Sequence, residues 1–252
     1  MNKHIVAIGG GEIRQLKTLA IDKEIVSLTG KKHPRLLFIP TASSDSENYV
    51  QAIEKVYGKK LGCKTDSLLL LREKPNKKEI EEKIFSADII YVGGGNTLKM
   101  MKLWRLLGVD KLLKSACNNG TILCGISAGA ICWFEYGHSD SMSFHNPDNW
   151  DYIRVRGMGF LKGLLCPHFD GQTRGIKRKK SFSQMIEKVG GLGIAIDNHA
   201  AIIFRNDSFR VINSKKDPKA HKLFKKSGKI TSIPIKTQKE FSSLKTLYSK
   251  TV

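Results

Sequence analysis

The 252-residue sequence predicts a doubly wound α/β domain, a mostly parallel sheet with helices on both faces. Three observations carry this. Short apolar runs alternate with segments whose apolar residues recur every three or four positions, the pattern of strands separated by amphipathic helices. The runs are continuously apolar, which marks strands buried on both faces. Glycine-rich loops follow the first, fourth and fifth runs, at the edge where such sheets gather functional groups.

Taken in order, the runs are HIVAIGG (4–10), RLLFIPTAS (35–43), SLLLL (67–71), DIIYVGGG (88–95), TILCGIS (121–127), GLLCPHF (163–169) and LGIAID (192–197). Helical spacing fills SENYVQAIEKVYGKKLG (46–62), NKKEIEEKIFSA (76–87) and NTLKMMKLWRLLGVDKLLKSACNNG (96–120). AAIIFRNDSFRVINS (200–214) reads as an antiparallel hairpin turning at Asn206-Asp207. Residues 216–252 form a lysine-rich, small antiparallel C-terminal extension holding the short strand ITSIPI. No repeat or low-complexity linker divides the chain, so residues 1–252 are expected to form one domain with its core in about 1–215.

The composition narrows the class of protein. No stretch reaches eighteen uninterrupted apolar residues, and MNKHIVAIGGGE enters a strand directly, so a soluble cytoplasmic protein without signal peptide or membrane contact is expected. Five cysteines, Cys63, Cys117, Cys124, Cys132 and Cys166, lack Cys-x-x-Cys spacing and fit free buried thiols; no metal site and no cofactor is expected. The net charge of +20 invites a nucleic-acid partner. However, 33 of the 43 basic residues are lysines scattered among glutamates, the pattern of solvated faces, and no nucleic acid is expected. The same charge is compatible with attraction of acidic small molecules, and the sequence is compatible with a homodimer.

The stretch TILCGISAGAICWF (121–134) carries the chemistry. Gly125-Ile-Ser127-Ala-Gly129 matches the G-x-S-x-G elbow, in which a tight strand-to-helix turn exposes a serine and small neighbours prevent clashes. A serine hydroxyl needs a base, and His168 in LLCPHFD also follows an apolar strand. His138, His145 and His199 are second choices, while His4, His33 and His221 have poorer settings. A carboxylate should orient the imidazole. Asp140 in GHSDS gives the chain order Ser, Asp, His, with Glu135, Asp170 and Asp197 in competition. The amide of Ala128, opening a helix, can stabilise an oxyanion together with the glycines of GGGNT.

The motifs GGGNT, GISAGA and PHFDGQTR, in this order and spacing, resemble the peptidase E family of cytoplasmic aspartyl dipeptidases, relatives of the cyanophycinases. The resemblance spans about residues 1–215. It implies a class I glutamine-amidotransferase-like (flavodoxin-like) fold and a serine exopeptidase that cleaves after an N-terminal aspartyl residue of a small acidic peptide. By position it makes Ser127 the nucleophile, His168 the base, Asp140 the third member, and Gly94 with Ala128 the oxyanion donors. Arg174 of GQTR would grip the acidic side chain, and Gly95 and Asn96 would bind substrate. Cyanophycinase-like relatives take a glutamate from a later motif, where this chain reads DNHAA (197–201).

Rival readings fare less well. A glutamine amidotransferase needs cysteine where Ser127 stands, and an α/β-hydrolase has its histidine much farther along than the 41 residues from Ser127 to His168. The non-enzymatic alternative is a ligand-binding or nucleic-acid-associated module of the same fold. Neither GGGE nor GGGNT completes a P-loop or a G-x-G-x-x-G fingerprint.

Overall fold

The computed structural model describes residues 3–173, 175–217 and 219–250. The first half alternates strands and helices: β1 (His4–Ile8), α1 (Leu19–Ser27), β2 (Arg35–Ile39), α2 (Glu47–Ile53), β3 (Lys64–Ser67), α3 (Lys77–Ser86), β4 (Ile89–Val92), α4 (Thr97–Leu107), α5 (Val109–Asn118) and β5 (Ile122–Ile126). The five strands run parallel in the order β3-β2-β4-β5-β1. Successive side chains point to opposite faces. Val6, Ile8, Phe38, Tyr91 and Cys124 pack beneath α1 and α2, whereas Ala7, Leu37, Ile90, Val92 and Leu123 pack beneath α3, α4 and α5. Each wholly buried aliphatic side chain contributes about 1.5–3 kcal/mol, so a strand covered on both sides gains from an apolar residue at every position.

Two elements depart from the sequence pattern for local reasons. The strand expected at SLLLL lies earlier, at Lys64–Ser67, and Leu68, Leu69 and Leu70 follow it as a buried loop. Asp45 turns the chain there, its Oδ2 accepting from the backbone N–H groups of Leu71 (2.6 Å) and Arg72 (3.1 Å). The long helical segment after Asn96 breaks into α4 and α5 at Gly108, whose φ of 73° is left-handed.

The second half adds α6 (Ala128–Ile131), β6 (Phe134–Ser139), β7 (Ile153–Arg156), β8 (Leu161–Cys166), β9 (Gln172–Thr173), β10 (Ile176–Lys177), α7 (Arg178–Val189) and β11 (Leu192–Ile196). It ends with β12 (Ala200–Arg205), β13 (Ser208–Asn213), β14 (Ala220–Lys226), β15 (Lys229–Ile235), β16 (Ser242–Ser243) and α8 (Leu244–Tyr248). The expected hairpin β12-β13 turns at Asn206-Asp207 and continues the first sheet, β12 pairing antiparallel with β1 from His4↔Arg205 to Ile8↔Ala201. A second sheet has the order β15-β14-β11-β8-β6-β7, with α7 packed on β14 and β15.

The antiparallel C-terminal extension joins both sheets. β14 pairs with β11 over five residues, and β16 closes the edge of the first sheet beside β13. Leu247 of α8 is buried in the main core, and Lys222 donates to the carbonyls of Thr246 and Ser249. Among the described residues no helix is long and apolar enough to cross a membrane, and all five cysteines are buried free thiols.

Candidate active site

β1, β5, β8 and β11 all end at one edge, and the loops beyond them interlock. The N–H of Ser127 donates to the carbonyl of Ile8 (3.1 Å), and the N–H of His168 donates to the next carbonyl along, that of Gly9 (3.1 Å). Ser127 and His168 therefore hang from consecutive peptide groups of one strand end. Phe169 N–H bonds the Ile196 carbonyl (3.1 Å), and His199 N–H bonds the Gly10 carbonyl (2.8 Å), which ties both sheets into the same corner.

Ser127 stands at φ 57°, ψ −114°, a conformation that costs a non-glycine residue on the order of 1–3 kcal/mol. The flanking glycines make the turn fit. A Cβ on Gly125 would come within 2.2 Å of the Gly129 carbonyl oxygen, and one on Gly129 within 2.1 Å of the Val92 carbonyl oxygen. The half-buried hydroxyl is thereby fixed on a tight strand-to-helix corner.

His168, also at positive φ (52°), brings its Nδ1 within 2.6 Å of Asn198 Oδ1. Asn198 is held in turn by Asp170, whose Oδ1 accepts from Asn198 N–H (2.8 Å) and Nδ2 (2.9 Å). The GGGE loop provides clearance for this pair. A Cβ on Gly10 would lie 2.2 Å from Asn198 Oδ1 and 2.3 Å from His168 Nδ1. Burial, and then the nearby Arg178 charge, hold the imidazole below its ordinary pKa, partly offset by the Asn198 bond and by Asp140 and Asp170.

The structure thus brings Asn198, and not the expected Asp140, against His168 Nδ1. The Asp140 carboxylate is taken by the guanidinium of Arg178, a buried side chain stacked over the Tyr152 ring at 4.9 Å. Glu135 accepts from Gly163 N–H (2.8 Å), and Asp197 from Lys219 N–H (2.9 Å) and His221 Nε2 (3.4 Å). Of the competing carboxylates only Asp170 reaches the histidine's partner. The reserve histidine His138 is buried, bonds Ser181 Oγ (2.9 Å) and is pushed down to about 3 by burial, then by Arg178.

The GGGNT loop lies against Ser127. A Cβ on Gly94 would approach Ser127 Cβ to 3.3 Å, and the Gly94 backbone bonds the Tyr49 phenol. Gly95, at φ 137°, has space for no side chain against Ala42. Its N–H and that of Ala128 meet no backbone acceptor among the described residues. Asn96 is buried and caps α4, its Oδ1 accepting from Lys99 N–H (3.0 Å) while Nδ2 reaches the Ser141 carbonyl (3.4 Å). Those bonds hold Asn96 in the framework at the start of α4. Arg174 lies outside the described residues.

Sequence reasoning missed Asn198 and Tyr49, whereas Gly10 lies in the GGGE loop that it placed at the functional edge. The signal for Asn198 was available, since DNHAA occupies the place where cyanophycinase-like relatives carry a glutamate.

A serine on a strained strand-to-helix elbow and a histidine oriented by an amide, hung from neighbouring peptide groups at the edge of a parallel α/β sheet, are the groups that a serine-type hydrolase uses. The chain belongs to peptidase family S51, whose sequence profile matches residues 5–212. It is 36% identical over 236 residues to the uncharacterized peptidase YgaJ of Bacillus subtilis (strain 168), covering 92% of this chain and 97% of that one. It is 24% identical over 163 residues to peptidase E of Nostoc sp., covering 60% and 62% of the two chains. The crystal structure of a peptidase from an acI-B1 Actinobacterium superposes with a TM-score of 0.69 at 24% identity, covering 96% of this chain and 97% of that one.

Proposed function

We propose that this peptidase removes an N-terminal acidic residue, aspartate foremost, from short acidic peptides through an acyl-enzyme on Ser127. The observation that carries the reading is the suspension of Ser127 and His168 from the adjacent carbonyls of Ile8, the last residue of β1, and Gly9 just beyond it. In this reading His168 Nε2 takes the Ser127 proton as Oγ attacks the scissile carbonyl, then returns it to the leaving amine, and water releases the acyl group by the same route in reverse. The N–H groups of Ala128 and Gly95 supply the oxyanion donors, the N–H of Gly94 being held by the Tyr49 phenol oxygen. Arg174, carried over from the family resemblance, grips the acidic side chain through two parallel hydrogen bonds.

Charge supports an acidic substrate. Residues 151–252 hold 22 basic and 7 acidic side chains, three quarters of the net charge. Strand directions bring Lys17, Lys215, Lys216, Lys219 and Lys236 to the edge that carries Ser127, and the charges of Lys215 and Lys17 act on His199 there. Such a collar draws anions toward the cleft.

The test is a screen of dipeptides and chromogenic aspartyl amides with purified protein, alongside fluorophosphonate labelling of wild type and Ser127→Ala. Aspartyl cleavage with labelling lost in the variant is expected. Labelling of wild type without cleavage of any acidic peptide would keep the serine hydrolase and overturn its specificity. Absence of both would favour a binding module.

A further inference from the structure

In a Ser-His-Asp triad, changing the aspartate to asparagine costs about 10⁴ in turnover, because the amide traps the imidazole in the wrong tautomer. In this chain the residue against His168 Nδ1 is natively an asparagine, Asn198. An amide has a donor end and an acceptor end, so its orientation must be fixed by something else. The acceptor-only carboxylate of Asp170 engages both Asn198 Nδ2 (2.9 Å) and the Asn198 backbone N–H (2.8 Å). That commits the nitrogen end of the amide to Asp170 and turns Oδ1 toward the ring. A carbonyl oxygen only accepts, so the proton of the neutral imidazole lies on Nδ1 and the lone pair on Nε2.

We propose that Asp170 is a positioning residue that sets the tautomer of His168 through Asn198. It does at one remove what an aspartate in direct contact does in the ordinary triad. The proposal rests on the reading of His168 as the base. Flipping the amide would set its oxygen against the Asp170 carboxylate, and its N–H group against Nδ1 would move the ring proton to Nε2, where it blocks proton transfer from Ser127. The surrounding backbone holds the relay in place. Asp170 is on the same loop as His168, braced by Gly171 N–H on the His168 carbonyl (2.9 Å), and Asn198 follows β11, the parallel neighbour of β8. The other charges acting on the ring, Arg178 on α7 and Asp140 beyond β6, are bonded to each other.

The experiment compares Asp170→Asn, Asn198→Asp and the polarity exchange Asn198→Asp/Asp170→Asn. The readouts are kcat and KM on a cleaved peptide, and the rate of Ser127 labelling by a small fluorophosphonate, each across pH. Asp170→Asn should lower kcat and labelling at least tenfold with KM unchanged, because its own amide no longer dictates the orientation of Asn198. Asn198→Asp alone sets two carboxylates side by side and should also be impaired. The exchange should recover most of the loss and move the acid limb of the profile upward by about one pH unit or more, since a carboxylate then touches the imidazole. An Asp170→Asn enzyme equal to wild type, or an exchange no better than Asp170→Asn, would overturn the proposal. Nitrogen-15 NMR of histidine in the wild-type protein provides a second test that needs no variant to fold. Neutral His168 should carry its proton on Nδ1, and a proton on Nε2 would refute the relay. Neither labelling nor NMR depends on peptide selectivity, so loss of the acidic-substrate reading would leave the relay standing.

Discussion

The Asp140 carboxylate and the Arg178 guanidinium are bonded to each other at the edge of the site, with Arg178 buried and Asp140 partly open. Asp140→Asn therefore removes a neighbour of the histidine rather than its hydrogen-bond partner. It should destabilise the protein by about 1–3 kcal/mol, less than a fully buried pair, by leaving the guanidinium unpaired. Fluorophosphonate labelling should stay within about tenfold of wild type, against about 10⁴ for loss of a direct triad carboxylate. Denaturant unfolding and labelling rates measured on one preparation separate the two effects.

The acid limb of kcat/KM should fall below the ordinary histidine range. In its proposed role as base His168 must be neutral to accept a proton, and burial with the Arg178 charge holds its pKa down, so it stays competent at more acidic pH. Arg178→Met removes the cation and leaves the Asp140 charge nearby, which should move that limb upward. A limb at or above the ordinary range in wild type would contradict the electrostatics of the site.

Two glycines should respond differently to alanine. Gly129→Ala drives a Cβ to 2.1 Å from the Val92 carbonyl oxygen at the centre of the sheet, and soluble protein should be lost. Gly94→Ala meets Ser127 Cβ at 3.3 Å and the Ile126 oxygen at 3.5 Å, a tight but tolerable fit. That variant should fold with a melting temperature within a few degrees of wild type and lose labelling on the order of tenfold, as a misplaced group in the site would. Circular dichroism and labelling of both variants check this.

Asp22 in α1 is wholly buried, accepts from the Thr18 and Tyr57 hydroxyls (2.8 Å each), and is pushed up by burial to about 6 from 3.8. A raised carboxyl pKa means that the folded protein holds a proton the unfolded chain releases. The stability it contributes is full below about pH 4 and lost as pH rises through about 6. Asp22→Asn should therefore match wild type near pH 4 and exceed it at pH 7–8 by about 2–3 kcal/mol, roughly two pK units. Urea unfolding at the two pH values measures the crossover.

The first-half sheet was legible because strands covered on both faces leave apolar runs, and the strand-end placement of Ser127 and His168 was legible because glycine clearance and the ends of apolar runs are local. β3 was misplaced because an edge strand needs no continuous apolar run, so KTDS formed the strand while the more apolar leucines filled the core beside it. The partner of His168 was hidden for a different reason. Asn198 is thirty residues away, and its role depends on Asp170 and on the parallel pairing of β8 with β11, none of which leaves a local pattern. The second sheet was hidden likewise, because the sequence of β14 and β15 does not announce that β11 lies beside them.

The place of β1 between β5 and β12 governs how the molecule can be made. β1 leaves the ribosome about 200 residues ahead of β12, so at roughly 5–20 residues per second it waits about 10–40 s for one of its two neighbours. During that interval β5 can dock on one side while the other edge of His-Ile-Val-Ala-Ile stays open to foreign strands. Such distant pairing also slows refolding from denaturant. The strand that later suspends both Ser127 and His168 is thus among the last to be completed, and a nascent chain stalled before residue 200 would carry an unfinished corner where the site should be.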